Sequence, residues 1–300
     1  MHMSTAFIFP GQGGQFVGQG QAWAEGDPSI KELFELADDI CERPITKLCF
    51  EGPSEELSKT INLQPAVLTV SLAALRKMKK EKGQPAFVAG HSLGEFGALV
   101  AAEVFDEKTA LRLVSKRALI MDEVAGKNPG AMLAVMGLPA EELETICELA
   151  RNEGTVVMAN FNTPEQIVIS GASRAVAAAG KYIKMKGGRS IPLPLSGAFH
   201  SELMAEAAKR FTSEIEKVDF KKPICPVLPN ATAQPLGDEA EIKRILKDQI
   251  TSPVRWTQTV AALNEAGVTE YVEAWPKAYL GSMTKKCLPK DTQAQILFQN

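Results

Sequence analysis

Apolar residues recur along this chain with two periods, and the switch between them marks the elements. Short unbroken apolar runs at 5–9 (TAFIF) and 85–89 (PAFVA) stop at Pro10 and Gly90 and predict strands of a buried sheet. Helical spacing appears at 29–41, 55–59, 64–82, 95–104 and 107–124, with Pro65 placed near a first turn. The stretch GKNPG at 126–130 breaks this pattern. Beyond it come a strand at 131–137, a helix at 140–152 and strands at 155–160 and 166–170 around Asn162-Thr163-Pro164. An Ala-rich helix at 171–187 and a Pro-interrupted edge strand at 189–195 follow. That order is β-α-β-β-α-β, the ferredoxin-like one. The chain then returns with a helix at 201–217, a strand at 226–230, helices at 239–250 and 256–266, a strand at 269–273 and a helix at 277–287. The expectation is a large α/β-hydrolase-like catalytic domain, 1–127 and 197–300, with a ferredoxin-like subdomain inserted at 128–196.

Composition narrows the partners. The net charge is −3 and no basic stripe with interleaved aromatics occurs, so nucleic acid is a poor partner. The basic run at 76–80 ends a predicted helix, where lysines favour the dipole. Five cysteines, an odd number with no CxxC or zinc-ribbon spacing, suit thiols in a reducing cytoplasm and offer no metal site. No apolar run reaches membrane-spanning length and no basic-then-apolar leader opens the chain. Nothing in the sequence demands more than a monomer. His2, just ahead of a second possible start at Met3, is given no function.

Candidate chemistry centres on AGHSLGEF at 89–96, which holds Gly-x-Ser-x-Gly. The motif alone recurs by chance in roughly one chain in ten of this length. Its context raises its weight: a strand directly before, a helix directly after, and glycines that permit a sharp turn. Ser92 is then a nucleophile in need of a base. The chain has three histidines; His2 is terminal and His91 adjoins Ser92 on the turn, leaving His200 in a loop before a helix. No acid stands out to orient the ring, so a backbone carbonyl or an amide remains open as its partner. The loop PGQGGQ at 10–15 lacks the Lys-Ser/Thr of a P-loop and the third glycine of a dinucleotide fingerprint. It suits a loop whose backbone N–H groups face the reaction centre, with the Leu93 N–H as second oxyanion donor. Arg117 lies on a largely apolar helix and needs an anionic partner, either an internal carboxylate or that of a substrate.

Together these residues resemble the malonyl-CoA:acyl carrier protein transacylase family over essentially the whole chain. The matching motifs are FPGQGGQ at 9–15, GHSLGE at 90–95, Ser-Lys-Arg at 115–117, NFNTPEQIVISG at 160–171, SGAFHS at 196–201 and QITSPVRW at 249–256. The resemblance implies Ser92 as nucleophile, His200 as its base and Gln249 as donor of the carbonyl that orients His200. It implies Gln12 and Leu93 as oxyanion-hole amides and Arg117 as clamp for the malonyl carboxylate. Phe199 would fill the space an α-methyl needs. The implied reaction moves malonyl from malonyl-CoA, through an ester on Ser92, to the phosphopantetheine thiol of an acyl carrier protein, with no metal or redox cofactor. Three other readings remain: a trans-acting polyketide-synthase malonyltransferase, an acyl hydrolase of similar fold, and a non-catalytic carrier-binding module. One departure stands out. Where the family reads Glu-x-Gly-Pro-Gly-Lys, this chain has Glu273-Ala274-Trp275-Pro276-Lys277-Ala278, so the turn must differ and Trp275 adds bulk.

Overall fold

Nine strands occur among the described residues: β1 Thr5–Phe9, β2 Phe87–Gly90, β3 Gly130–Met136, β4 Val156–Thr163, β5 Gln166–Ala172, β6 Arg189–Pro192, β7 Val227–Leu228, β8 Glu270–Glu273 and β9 Gln295–Phe298. The structure, a computed structural model, describes residues 4–195 and 197–299; His2 and Ser196 of the SGAFHS motif lie outside the described residues.

Five strands form one parallel sheet in the order β7-β2-β1-β8-β9. β1 is central, and Ala6 to Phe9 are fully buried, which is why its apolar run is unbroken. β9 went unread in the sequence because it is a four-residue, partly exposed edge strand. The other four strands form an antiparallel sheet in the order β4-β5-β3-β6, with helices Ala140–Ala150 and Ser173–Met185 packed on it. Its two connections to the larger unit meet at an antiparallel bridge between Pro129 and Gly197. Val254 bridges to Asn160, tying β4 to the larger unit a second time. Strand β6 is an edge, in keeping with the proline at its end, Pro192.

Several boundaries differ from expectation, among them those of two long helices. The long helix runs Thr60–Lys82, so Pro65 sits in its second turn; buried Asn62 and Gln64 hide the apolar stripe there. The helix Glu107–Lys127 continues through Gly126, where no neighbour approaches, and stops at Asn128. Among the described residues, no helix is long and apolar enough to cross a membrane.

Parallel strands share their C-terminal ends, so the loops after β7, β2, β1 and β8 emerge side by side. These loops carry Asn230, Ser92, Gln12 and Trp275, in that spatial order.

Candidate active site

Ser92 follows β2 with φ of 50°, a left-handed backbone unusual for a residue other than glycine. The turn is tight enough to demand its flanking glycines. A Cβ on Gly90 would lie 2.0 Å from the Gly94 carbonyl carbon, and one on Gly94 would lie 2.0 Å from the Phe9 oxygen. Asn230 fixes the turn from the β7 side: its Oδ1 accepts from the Ser92 N–H at 2.6 Å and its Nδ2 donates to the Gly90 carbonyl at 2.5 Å. Beyond the serine, the N–H groups of Gly94, Glu95 and Phe96 bond the carbonyls of His91, Ser92 and Leu93. Among the described residues the Leu93 N–H takes no such partner, which leaves it available to a ligand.

His200, buried and also at positive φ, 60°, places Nε2 2.8 Å from Ser92 Oγ. Its Nδ1 faces the carbonyls of Ser252 at 2.9 Å and Gln249 at 3.2 Å. A nitrogen between two carbonyls must carry the proton, so Nε2 is the lone-pair nitrogen that accepts from the serine. Burial, and then the charge of Arg117, pull His200 down to about 3. The ring is neutral and held by two carbonyls, not by an acid, with its lone pair toward Ser92 Oγ.

Arg117 is fully enclosed. Its Nη1 donates to Gln64 Oε1 at 2.6 Å, and its Nη2 to Gln249 Oε1 at 3.0 Å and, at 3.5 Å, to Ser92 Oγ. Its Nε is buried without a hydrogen-bond partner among the described residues. Burial pulls the guanidinium down to about 10. No carboxylate among the described residues hydrogen-bonds to Arg117, so the internal ion pair considered from the sequence is not made. Glu95 is near enough to act electrostatically, but burial raises it to about 7, and its Oε2 accepts from Gln249 Nε2 at 3.2 Å and the Asn230 N–H at 3.3 Å. A guanidinium whose hydrogen-bond partners among the described residues are two amide oxygens and, at 3.5 Å, the Ser92 hydroxyl has the chemistry to receive an anion.

Residues 6–297 match the acyl transferase domain family. A malonyl CoA-acyl carrier protein transacylase of Bacillus subtilis is 43% identical over 283 residues, spanning 94% of this chain and 89% of its own. The acyl-carrier-protein S-malonyltransferase of Bartonella henselae superposes with a TM-score of 0.93 at 36% identity, covering 98% of this chain and 95% of that one. The same TM-score and identity hold for a malonyl-transacylase solved with a type II PKS acyl-carrier protein, again over 98% and 95%. The chain belongs to the malonyl CoA-acyl carrier protein transacylase family.

Within this transacylase scaffold the remaining expected residues take varied places. Gln12 lies in the loop after β1, packed against the elbow: a Cβ on its neighbour Gly11 would meet the His91 oxygen at 2.6 Å. Gln249 does more than offer a carbonyl. Its side-chain Nε2 donates to the Ser92 carbonyl at 2.8 Å while its Oε1 receives Arg117, so it links Ser92, His200 and Arg117. Phe199 is buried against Gly197 in the main core, one residue from His200. His91 turns away from Ser92, with Nε2 2.8 Å from Asn162 Oδ1 at the end of β4. Trp275 is wholly buried and donates to the Gly14 carbonyl at 3.2 Å.

Gln64, Glu95, Asn230 and Ser252 join this transacylase site without having been read from the sequence. Gln64 and Glu95 did leave a signal, as polar residues inside apolar helical stretches. Ser252 lies within the QITSPVRW motif but was given no role there, and Asn230 left no signal, because loop polar residues are ordinarily solvated.

Proposed function

We propose that this chain transfers malonyl from malonyl-CoA to the phosphopantetheine thiol of an acyl carrier protein through an ester on Ser92. One observation carries the reading most directly: a buried guanidinium without a carboxylate partner, 3.5 Å from the hydroxyl of a serine bonded to a neutral histidine. In the first half-reaction Ser92 Oγ attacks the thioester carbonyl as His200 Nε2 takes its proton. The Leu93 and Gln12 N–H groups receive the developing oxyanion, and Arg117 holds the free malonyl carboxylate. Coenzyme A leaves as a thiol, taking the proton back from His200. The carrier thiol then repeats these steps in reverse, giving ping-pong kinetics. The Ser252 and Gln249 carbonyls stabilise the imidazolium that forms in each half. Phe199 closes the space an α-methyl would need, favouring malonyl over methylmalonyl. This chemistry needs neither a metal nor a redox cofactor. A monomer in a reducing cytoplasm belongs to the same proposal; the five free cysteines support the reducing environment.

The test is intact-mass analysis after incubation with malonyl-, methylmalonyl- and acetyl-CoA, with and without carrier protein. A malonyl adduct on Ser92 that is discharged by carrier protein, and absent in Ser92→Ala, is expected. An adduct persisting in Ser92→Ala would identify a different nucleophile. Rapid discharge to water without carrier would favour a hydrolase. The similarity to a transacylase of a type II PKS carrier protein keeps polyketide assembly as the second reading of the pathway; the chemistry is the same.

A further inference from the structure

The segment that departs from the family's Gly-Pro-Gly turn lies directly behind the loop that carries Gln12. Strand β8 neighbours β1, so the chain leaving β8 emerges beside the chain leaving β1. Three side chains of this segment reach that loop. Trp275 Nε1 donates to the Gly14 carbonyl at 3.2 Å, the Tyr279 hydroxyl donates to the Gln12 carbonyl at 3.0 Å, and Lys277 Nζ sits 3.5 Å from the centre of the Phe16 ring. The segment is itself anchored. Buried Glu273 accepts from the N–H groups of Tyr279, Leu280 and Gly281, at 2.7 to 3.3 Å.

Within the loop the Gly13 N–H donates to Gln15 Oε1 at 2.8 Å and the Phe16 N–H to Gln19 Oε1 at 3.1 Å, but neither bond holds the Gln12 peptide itself. Gly13 sits at φ of 112°, and Gly13 and Gly14 bring no side chains, so backbone freedom there is large. The Tyr279 ring fills the space over both: a Cβ on Gly13 would lie 2.2 Å from its hydroxyl and one on Gly14 2.9 Å from its ring. An oxyanion donor must already point at the reacting oxygen, because a misplacement of about 1 Å can cost on the order of 10²-fold in rate.

We propose that Trp275, Lys277 and Tyr279 brace the glycine-rich loop, and that Tyr279 is a positioning residue for the Gln12 N–H. The inference rests on the proposed role of that N–H in the oxyanion hole. Its consequence is kinetic. The brace acts on the thioester oxygen, which malonyl-CoA and acetyl-CoA share, and not on the carboxylate that Arg117 would hold.

Rapid-quench acylation by malonyl-CoA and acetyl-CoA, read by intact mass on the full chain, tests this with Tyr279→Phe, which keeps the ring and removes the hydroxyl. The acylation rate constant at saturation should fall about five- to tenfold for both substrates, the loss of one neutral hydrogen bond. The malonyl-CoA dissociation constant and the malonyl-to-acetyl ratio should stay unchanged. Trp275→Phe should give the same pattern with a smaller drop. Acylation of Tyr279→Phe at the wild-type rate overturns the proposal. So does a lost affinity or altered ratio at an unchanged rate, the sign of a merely structural role. Absence of any Ser92 adduct in the wild-type protein would instead overturn the underlying site assignment.

Discussion

Replacing Arg117 by alanine separates the carboxylate clamp from the rest of the machinery. The guanidinium is buried, carries its charge without a carboxylate partner, and lies within 3.5 Å of Ser92 Oγ. A carboxylate seated about 3 Å away, at an effective dielectric near 20, gains about 5 kcal/mol of Coulomb energy, from which its own desolvation subtracts. Leaving one partner of a buried pair alone costs about 3–5 kcal/mol. At about 1.4 kcal/mol per decade, kcat/KM for malonyl-CoA should fall roughly 10²- to 10⁴-fold. Acetyl-CoA offers a methyl where malonyl has its carboxylate and should lose less than about tenfold. The assay is the initial rate of Ser92 acylation by each thioester, with a melting curve to confirm that Arg117→Ala is folded. The variant also frees Gln64 Oε1 and Gln249 Oε1, and Gln249 touches the serine and the base. If Arg117 acts only by ordering Gln249, both substrates lose equally. Equal loss would refute the clamp.

Two further outcomes follow from the same geometry. Because burial and Arg117 hold His200 at about 3, the base is neutral at any higher pH, and kcat/KM for acetyl-CoA should show no acid limb from His200 between about pH 8 and 5; Glu95, raised to about 7, titrates inside that range, so a limb near 7 that survives Glu95→Gln would assign the proton to His200 and overturn the assignment. Gly90→Ala should destabilise by about 3 kcal/mol or more, since its Cβ would sit 2.0 Å from backbone, whereas Gly126→Ala, in open space within a helix, should be neutral or stabilising by up to about 1 kcal/mol; denaturant unfolding compares them, and equal effects would refute the steric argument.

Legibility in the sequence followed burial. Strands β1 and β2, buried beyond their first residues, announced themselves as unbroken apolar runs, and the alternating elements of the inserted unit were readable because each buries one face. β9, at an edge, was invisible, and the start of the helix Thr60–Lys82 was misplaced because Asn62 and Gln64 interrupt its stripe. Ser92 and His200 were singled out by motif and by scarcity, an argument that works only in a chain with three histidines, and the fold brings them within 2.8 Å.

The sequence by itself determined the local chemistry: a serine on a turn that only glycines allow, one plausible base, and an arginine too enclosed by apolar neighbours to lack a purpose. Only the tertiary structure decided who meets whom. It placed the carbonyls of Ser252 and Gln249 on the base, showed that Arg117 rests on two amides and not on an acid, and set Tyr279 behind Gln12. The reason is the parallel sheet. Periodicity reports which face of an element is buried, but strand order decides which loops emerge together, and β7-β2-β1-β8 brings together residues as far apart in the chain as Gln12 and Tyr279.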